Sequence, residues 1–94
     1  MKIVNFAEKN SELNRFVAEI RDIHIQQDRL RFRKNLERIG EVMSYEISKD
    51  FRYSEKLVTT PLGTARVNTA DDKIVIGTIL RAGIPYHQGF LNYF

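Results

Sequence analysis

The sequence predicts an α/β fold: two amphipathic helices, a β-hairpin, one buried parallel strand and a further helix. Three observations carry this. Lys73–Gly83, KIVIGTILRAG, holds the nearly unbroken apolar run Ile74, Val75, Ile76, Ile79 and Leu80, the pattern of a strand covered on both faces. Two earlier stretches repeat apolar residues at spacings of three and four, as an amphipathic helix does. Thr60-Pro61-Leu62-Gly63 places proline second and glycine fourth, positions favoured in a type I turn.

Taken in order, Ile3, Val4 and Phe6 predict a short first strand or extended arm. Asn10 or Ser11 is placed to cap a helix with Glu12 in its first turn. Leu13, Phe16, Val17 and Ile20 form its apolar face, and it ends near Arg21-Asp22. Asp28 caps a longer second helix with the stripe Phe32, Leu36, Ile39, Met43 and Ile47, ending near Lys49-Asp50. Gly40 inside this helix costs about 1 kcal/mol against alanine and is read as permitting a close backbone contact. Strand-like runs over 56–60 and 64–67 flank the turn and make a hairpin. Asn68–Asp72 is a polar turn into the buried strand. Pro85 falls in the first turn of the last helix, where proline is tolerated.

A parallel strand needs neighbours, and only one such strand is legible. The apolar helical pattern over 89–94 also meets no stop signal. The expectation is therefore a single incomplete domain, 1–94: helices over 1–52, a hairpin arm over 53–70, and core strand, loop and helix start over 71–94.

The 94 residues bound the chain to one small domain, and a 43% hydrophobic content is that of a globular protein. There is no cysteine, which excludes disulfides and thiolate metal sites and suits a reducing compartment. No apolar run approaches the roughly 20 residues of a membrane span, and the apolar start is too short for a secretion signal, so a cytoplasmic setting is expected. The net charge of +3 includes the cluster Arg29, Arg31, Arg33, Lys34 and Arg38. Asp28, Glu37, Glu41 and Glu46 lie among these cations, which reads as a solvated helix face. The sharper reading is contact with phosphates of a nucleotide or RNA.

The buried run ends at Arg81-Ala82-Gly83. Ligands of open α/β sheets bind beyond the carboxyl ends of strands. A cation with two small residues there suits an anionic group that comes close to the backbone. His24 and His87 have no motif partner and are read as structural. Asp71-Asp72 is read as an ordinary turn.

Several stretches together resemble the amino-terminal part of the uracil phosphoribosyltransferases: MKIV, the IRDI exit of the first helix, FRKNLERIGEVMSYEISKDF over 32–51, TTPLGTARV and KIVIGTILRAG. The similarity covers essentially the whole chain. The resemblance implies a type I phosphoribosyltransferase fold, with two helices, a hairpin arm, the buried parallel strand and a helix. It implies an enzyme that converts uracil and phosphoribosyl pyrophosphate to UMP and pyrophosphate with magnesium, in pyrimidine salvage. Arg81, Ala82 and Gly83 would bind the pyrophosphate, with a strained or cis peptide near Leu80-Arg81. Tyr45-Glu46, a marker of the family, would pack or hydrogen-bond beneath the active site. The partners implied are uracil and phosphoribosyl pyrophosphate, a homodimer or larger assembly held partly by Leu57, Leu62 and Val67, and GTP as a candidate activator. Membrane and nucleic-acid partners are not implied.

The departures are also informative. Thr78 stands where many members have proline, and Pro85-Tyr86-His87-Gln88 replaces small or apolar residues and an acid. No strand followed by an acidic residue and a Thr-Gly-Gly loop is present, nor a base pocket. The chain alone is therefore expected to be inactive, with no catalytic residue and no metal ligand of its own. The alternative reading is a free-standing dimerisation or RNA/nucleotide-binding module that uses the basic helix Arg29–Arg38.

Overall fold

The structure, a computed structural model, describes residues 2–94. Its elements are α1 (Leu13–Arg21), α2 (Arg29–Ser48), β1 (Tyr53–Thr60), β2 (Gly63–Ala70) and α3 (Ile84–Leu91), with single 3-10 turns at Phe6–Glu8 and Ile25–Gln27. The fold is mixed α/β: three packed helices and a protruding two-stranded antiparallel arm, 53 Å in its longest dimension.

At the starts of α1 and α2 a side chain replaces a missing backbone acceptor. Ser11 Oγ accepts from the Leu13 amide at 3.3 Å, and Asp28 Oδ1 accepts from the Arg31 amide at 3.1 Å. Asp22 ends α1 in an extended conformation (φ −73°, ψ 120°). Its carboxylate then takes the His24 amide at 2.8 Å and turns the chain toward α2. The expected first strand does not form. Asn5 offers its side-chain oxygen to the Ala7 amide at 3.0 Å, and this local bond favours the 3-10 turn over an extended arm.

Helix α2 is the central element. Its buried line is Asn35, Ile39, Gly40 and Ser44 rather than the whole apolar stripe. Phe32 and Ile47 remain 36% and 41% exposed. The reason lies in α3, which crosses α2 at two glycines. A Cβ on Gly40 would come within 2.5 Å of the Tyr86 carbonyl oxygen and 3.1 Å of the Gly89 Cα. A Cβ on Gly89 would meet the Glu37 carbonyl oxygen, and would lie 2.8 Å from both the Glu41 amide and the Gly40 Cα. These are backbone atoms that cannot swing aside. The close contact inferred for Gly40 is thus real, and its partner is another glycine.

Around this crossing the side chains lock. Tyr86 donates its hydroxyl to Met43 Sδ at 2.8 Å and stands edge-on to Phe90, with centroids 5.0 Å apart. Phe94 packs 5.5 Å from Phe51 just past the end of α2. On the opposite flank of α2, fully buried Asn35 donates to Glu19 Oε2 at 2.6 Å and accepts from Arg38 at 3.2 Å, tying α1 to α2.

The hairpin pairs Tyr53 with Ala70 through to Thr60 with Gly63, leaving Pro61 and Leu62 as its loop. Gly63 takes φ 133°, a conformation open to glycine. At the base each strand outruns its predicted run by three residues, while β1 ends at Thr60 as predicted. At the base, the Asp71 amide bonds the Arg52 carbonyl at 2.8 Å, Ser54 Oγ donates to Asp71 at 2.7 Å, and Asp72 accepts the Arg52 amide at 3.1 Å.

The predicted buried parallel strand does not form among the described residues. Residues 73–79 run without regular secondary structure, and Val75 and Ile79 are 95% and 88% exposed. A strand requires a neighbouring backbone to receive its amides and carbonyls. Among the described residues β1 and β2 pair with each other, and no strand lies beside this segment.

Alanine at Gly89 tests the crossing. On helix propensity alone this change stabilises by about 1 kcal/mol, whereas overpacking backbone against backbone costs about 1–3 kcal/mol. Chemical denaturation is expected to show Gly89→Ala destabilised. Gly77→Ala, where a Cβ meets nothing within 4 Å, is the neutral control.

Candidate functional site

The segment leaving residue 79 closes into a short loop that opens α3. The Gly83 amide donates to the Ile79 carbonyl at 3.2 Å, Ile84 to Arg81 at 3.2 Å, and His87 to Gly83 at 2.8 Å. The Leu80–Arg81 peptide is cis, at the position the sequence reading named. Gly83 has no room for a side chain: a Cβ would lie 2.5 Å from Thr78 Oγ1 and 2.7 Å from the Ile79 carbonyl oxygen. Arg81 and Ala82 stand exposed at the loop tip.

Arg81 opens onto a cleft of about 750 Å³ between this loop and the first half of α2. Arg29 and Arg33 line the same cleft, with Phe32 and Pro85 supplying apolar wall and Glu37 its acid. The loop and the basic helix were separate features of the sequence, and folding brings them to one place. No local spacing announces this, because Arg33 and Arg81 lie on elements separated by the whole hairpin.

The five cations of α2 divide into two sets. Arg31 pairs with Glu19 at 3.8 Å, Lys34 with Glu37 at 3.3 Å, and Arg38 bonds Asn35 and lies 5.5 Å over the Phe16 ring. These three belong to the structural face. Arg29 and Arg33 form no ion pair among the described residues, and neither does Arg81.

Glu37 is held out of the arginine group. Asn92 donates to its Oε1 at 3.0 Å and to Glu41 Oε1 at 2.7 Å, while Gln88 donates to Asn92 Oδ1 at 2.8 Å. The Asn92 hydrogen bond, aided by Lys34 and Arg38 and opposed by partial burial, holds the Glu37 carboxyl below the usual glutamate range. Burial raises the Tyr86 hydroxyl above its ordinary value.

The other singled-out residues lie elsewhere. His24 is exposed, after α1. His87 lines a smaller apolar cleft together with residues 74–78, and its Nδ1 is buried without a hydrogen-bond partner. Asp71 and Asp72 fasten the hairpin base. Tyr45 and Glu46 do not sit beneath the loop: Tyr45 is 58% exposed with Lys49 5.0 Å over its ring, and Glu46 pairs with Lys49 at 3.1 Å. The buried line of α2 runs through Gly40 and Ser44, which turns this pair outward.

A family model described as uracil phosphoribosyltransferase matches residues 7–94. Two proteins named uracil phosphoribosyltransferase, from two strains of Porphyromonas gingivalis, are 57% identical to the chain over all 94 residues, which is 44% of their own length. One of the same name from Methanothermobacter thermautotrophicus is 42% identical over 65 residues, covering 67% of this chain and 30% of that protein. Another, from Pyrococcus furiosus, is 36% identical over 80 residues, covering 83% of the chain and 34% of that protein. The chain thus spans less than half the length of the relatives it matches.

Removing the Asn92 amide tests the Glu37 environment. A carboxyl lowered in the folded state contributes stability that is complete above its unfolded value, near 4.5, and is lost as pH falls through the lower folded value. Asn92→Ala is expected to raise the Glu37 titration midpoint seen by carboxyl NMR. The melting-temperature gap between wild type and variant should narrow as pH drops below about 4.5. An unchanged midpoint would show that Asn92 does not set this carboxyl.

Proposed function

Since the chain belongs to the uracil phosphoribosyltransferase family, we propose that it supplies the diphosphate-binding part of an enzyme joining uracil to phosphoribosyl pyrophosphate. One observation supports this most directly: Arg81 stands exposed at the tip of a tight loop, with the small residue Ala82 beside it, on a cationic cleft.

In the proposed reaction a uracil nitrogen bonds to the anomeric carbon as the carbon–oxygen bond to the diphosphate breaks. The bonding pair leaves with the diphosphate, and the uracil N–H proton is released. Charge gathers on the departing diphosphate oxygens. A guanidinium fixed there in advance stabilises the transition state without reorganising at the moment of reaction. Arg81 takes that role, donating as a planar fork that suits phosphate oxygens. Ala82, exposed at the loop tip, lets the ligand come close to the backbone there, while Gly83, its amide bonded to the Ile79 carbonyl, keeps the loop tight.

Magnesium enters this reading only as a counter-ion carried by the diphosphate. The acid at the cleft, Glu37, is already engaged by Asn92 and Lys34, and no group of three histidines or acids gathers among the described residues.

The hairpin supports self-association in the same reading. Leu57, Leu62 and Val67 are 70%, 100% and 42% exposed on an arm that stands away from the helices. A lone hairpin is marginal in water, and a second copy would cover it. We assign the protein to the cytoplasm, the compartment that suits a cysteine-free chain acting on soluble nucleotide precursors. Among the described residues no helix is long and apolar enough to cross a membrane.

Two measurements check these assignments. Fused in place of the matching segment of the Porphyromonas gingivalis relative, the chain should support UMP formation. Arg81→Ala in that chimera should lower the rate about a hundredfold or more, as loss of one preorganised donor does. Near-normal turnover would remove Arg81 from the reaction. Light scattering of the chimera should give a dimer or larger, and Leu57→Glu with Leu62→Glu should shift it toward monomer; a wild-type monomer would contradict the arm's assignment.

A further inference from the structure

We propose that Arg29 and Arg33 of α2 join Arg81 in one cradle for a diphosphate group, so that the basic helix and the loop serve a single ligand. This rests on the reading that a diphosphate is the ligand of the loop, and extends it to residues on another element.

Placement is the first ground. Arg29 and Arg33 are four apart on α2 and share one helix face. That face lines the cleft onto which Arg81 opens from the other side.

Charge is the second. All three side chains are exposed, and none pairs with a carboxylate among the described residues. Their neighbours Arg31, Lys34 and Arg38 on the same helix all find partners. Three like charges facing one cleft repel one another, and a multiply charged anion between them reverses the sign of that interaction.

The lining is the third. Glu37 continues the Arg29–Arg33 face by one further turn, yet its two oxygens are taken by Asn92 and Lys34. The acid therefore bounds the cleft at one end rather than neutralising the arginines. Phe32 and Pro85 supply apolar wall and bring no competing charge to the arginines. Guanidinium forks match phosphate oxygens two at a time, so arginines from two elements suit a ligand with two linked phosphates better than one with a single phosphate.

Calorimetric titration of the 94-residue chain tests the cradle. Inorganic pyrophosphate and phosphoribosyl pyrophosphate are titrated separately, with orthophosphate as the single-phosphate comparison. The proteins are wild type, Arg29→Gln, Arg33→Gln, Arg81→Gln and the hairpin control Arg66→Gln, each checked for helix content by circular dichroism. Both diphosphates should bind wild type, and orthophosphate should bind more weakly. Each of the three cleft variants should lose roughly tenfold or more in affinity, the worth of a charge-assisted hydrogen bond, while Arg66→Gln stays as wild type. Loss in Arg81→Gln with wild-type affinity in Arg29→Gln and Arg33→Gln would overturn the cradle and leave the loop's reading intact. Loss in the α2 variants alone would overturn the loop's role. Binding of phosphoribosyl pyrophosphate without pyrophosphate would place recognition on the sugar phosphate and overturn the cradle. Binding of neither would overturn both.

Discussion

Backbone touches backbone where α2 crosses α3, and the rest of the helical body is arranged around that contact. Gly40 and Gly89 let two helices approach more closely than any side chain would allow. Close approach brings Tyr86 within reach of Met43 and Asn92 within reach of Glu37 and Glu41. It also fixes the start of α3, and with it the loop that carries Arg81, against the first half of α2. The cleft exists because the helices cannot move apart without losing these contacts, nor come closer.

How much of this was legible in the sequence follows from which interactions are local. Ser11 and Asp28 announced the helix starts because a cap acts within three residues. Thr60-Pro61-Leu62-Gly63 announced the hairpin because a tight turn depends on its own backbone preferences. The strand read over 73–80 failed for the opposite reason: an apolar run states that burial is wanted, and pairing is decided by what lies alongside. The stripe on α2 was half right. Ile39 is buried as expected, but Asn35 and Ser44 are more deeply enclosed than Phe32 or Ile47, since small and amide side chains fit where another helix comes near. The arginine cleft was not legible at all as one site. Arg81 was picked out by its place after an apolar run, and Arg29 and Arg33 were lost among cations that do belong to a solvated face.

Helix α2 shows how one charged face performs two tasks. Arg31, Lys34 and Arg38 hold the helix to its own surroundings through Glu19, Glu37, Asn35 and the Phe16 ring. Exposed pairs of this kind contribute little each, typically 0–1 kcal/mol. Their larger effect is to use up nearby acids. Glu19 and Glu37 are occupied, so the two arginines turned toward the loop keep their charge uncompensated.

The clasp at the base of the hairpin has a mechanical consequence. Each strand is eight residues, about 27 Å at the usual rise per residue, so the arm is long compared with its anchorage. Asp71 and Asp72 grip Arg52 and Ser54 at the fulcrum of that lever. The chain then runs from Asp72 to Arg81 without an intervening element. A load applied at Pro61 and Leu62 is therefore delivered to the clasp first, and any part the clasp fails to absorb passes as tension along residues 73–80 to the loop.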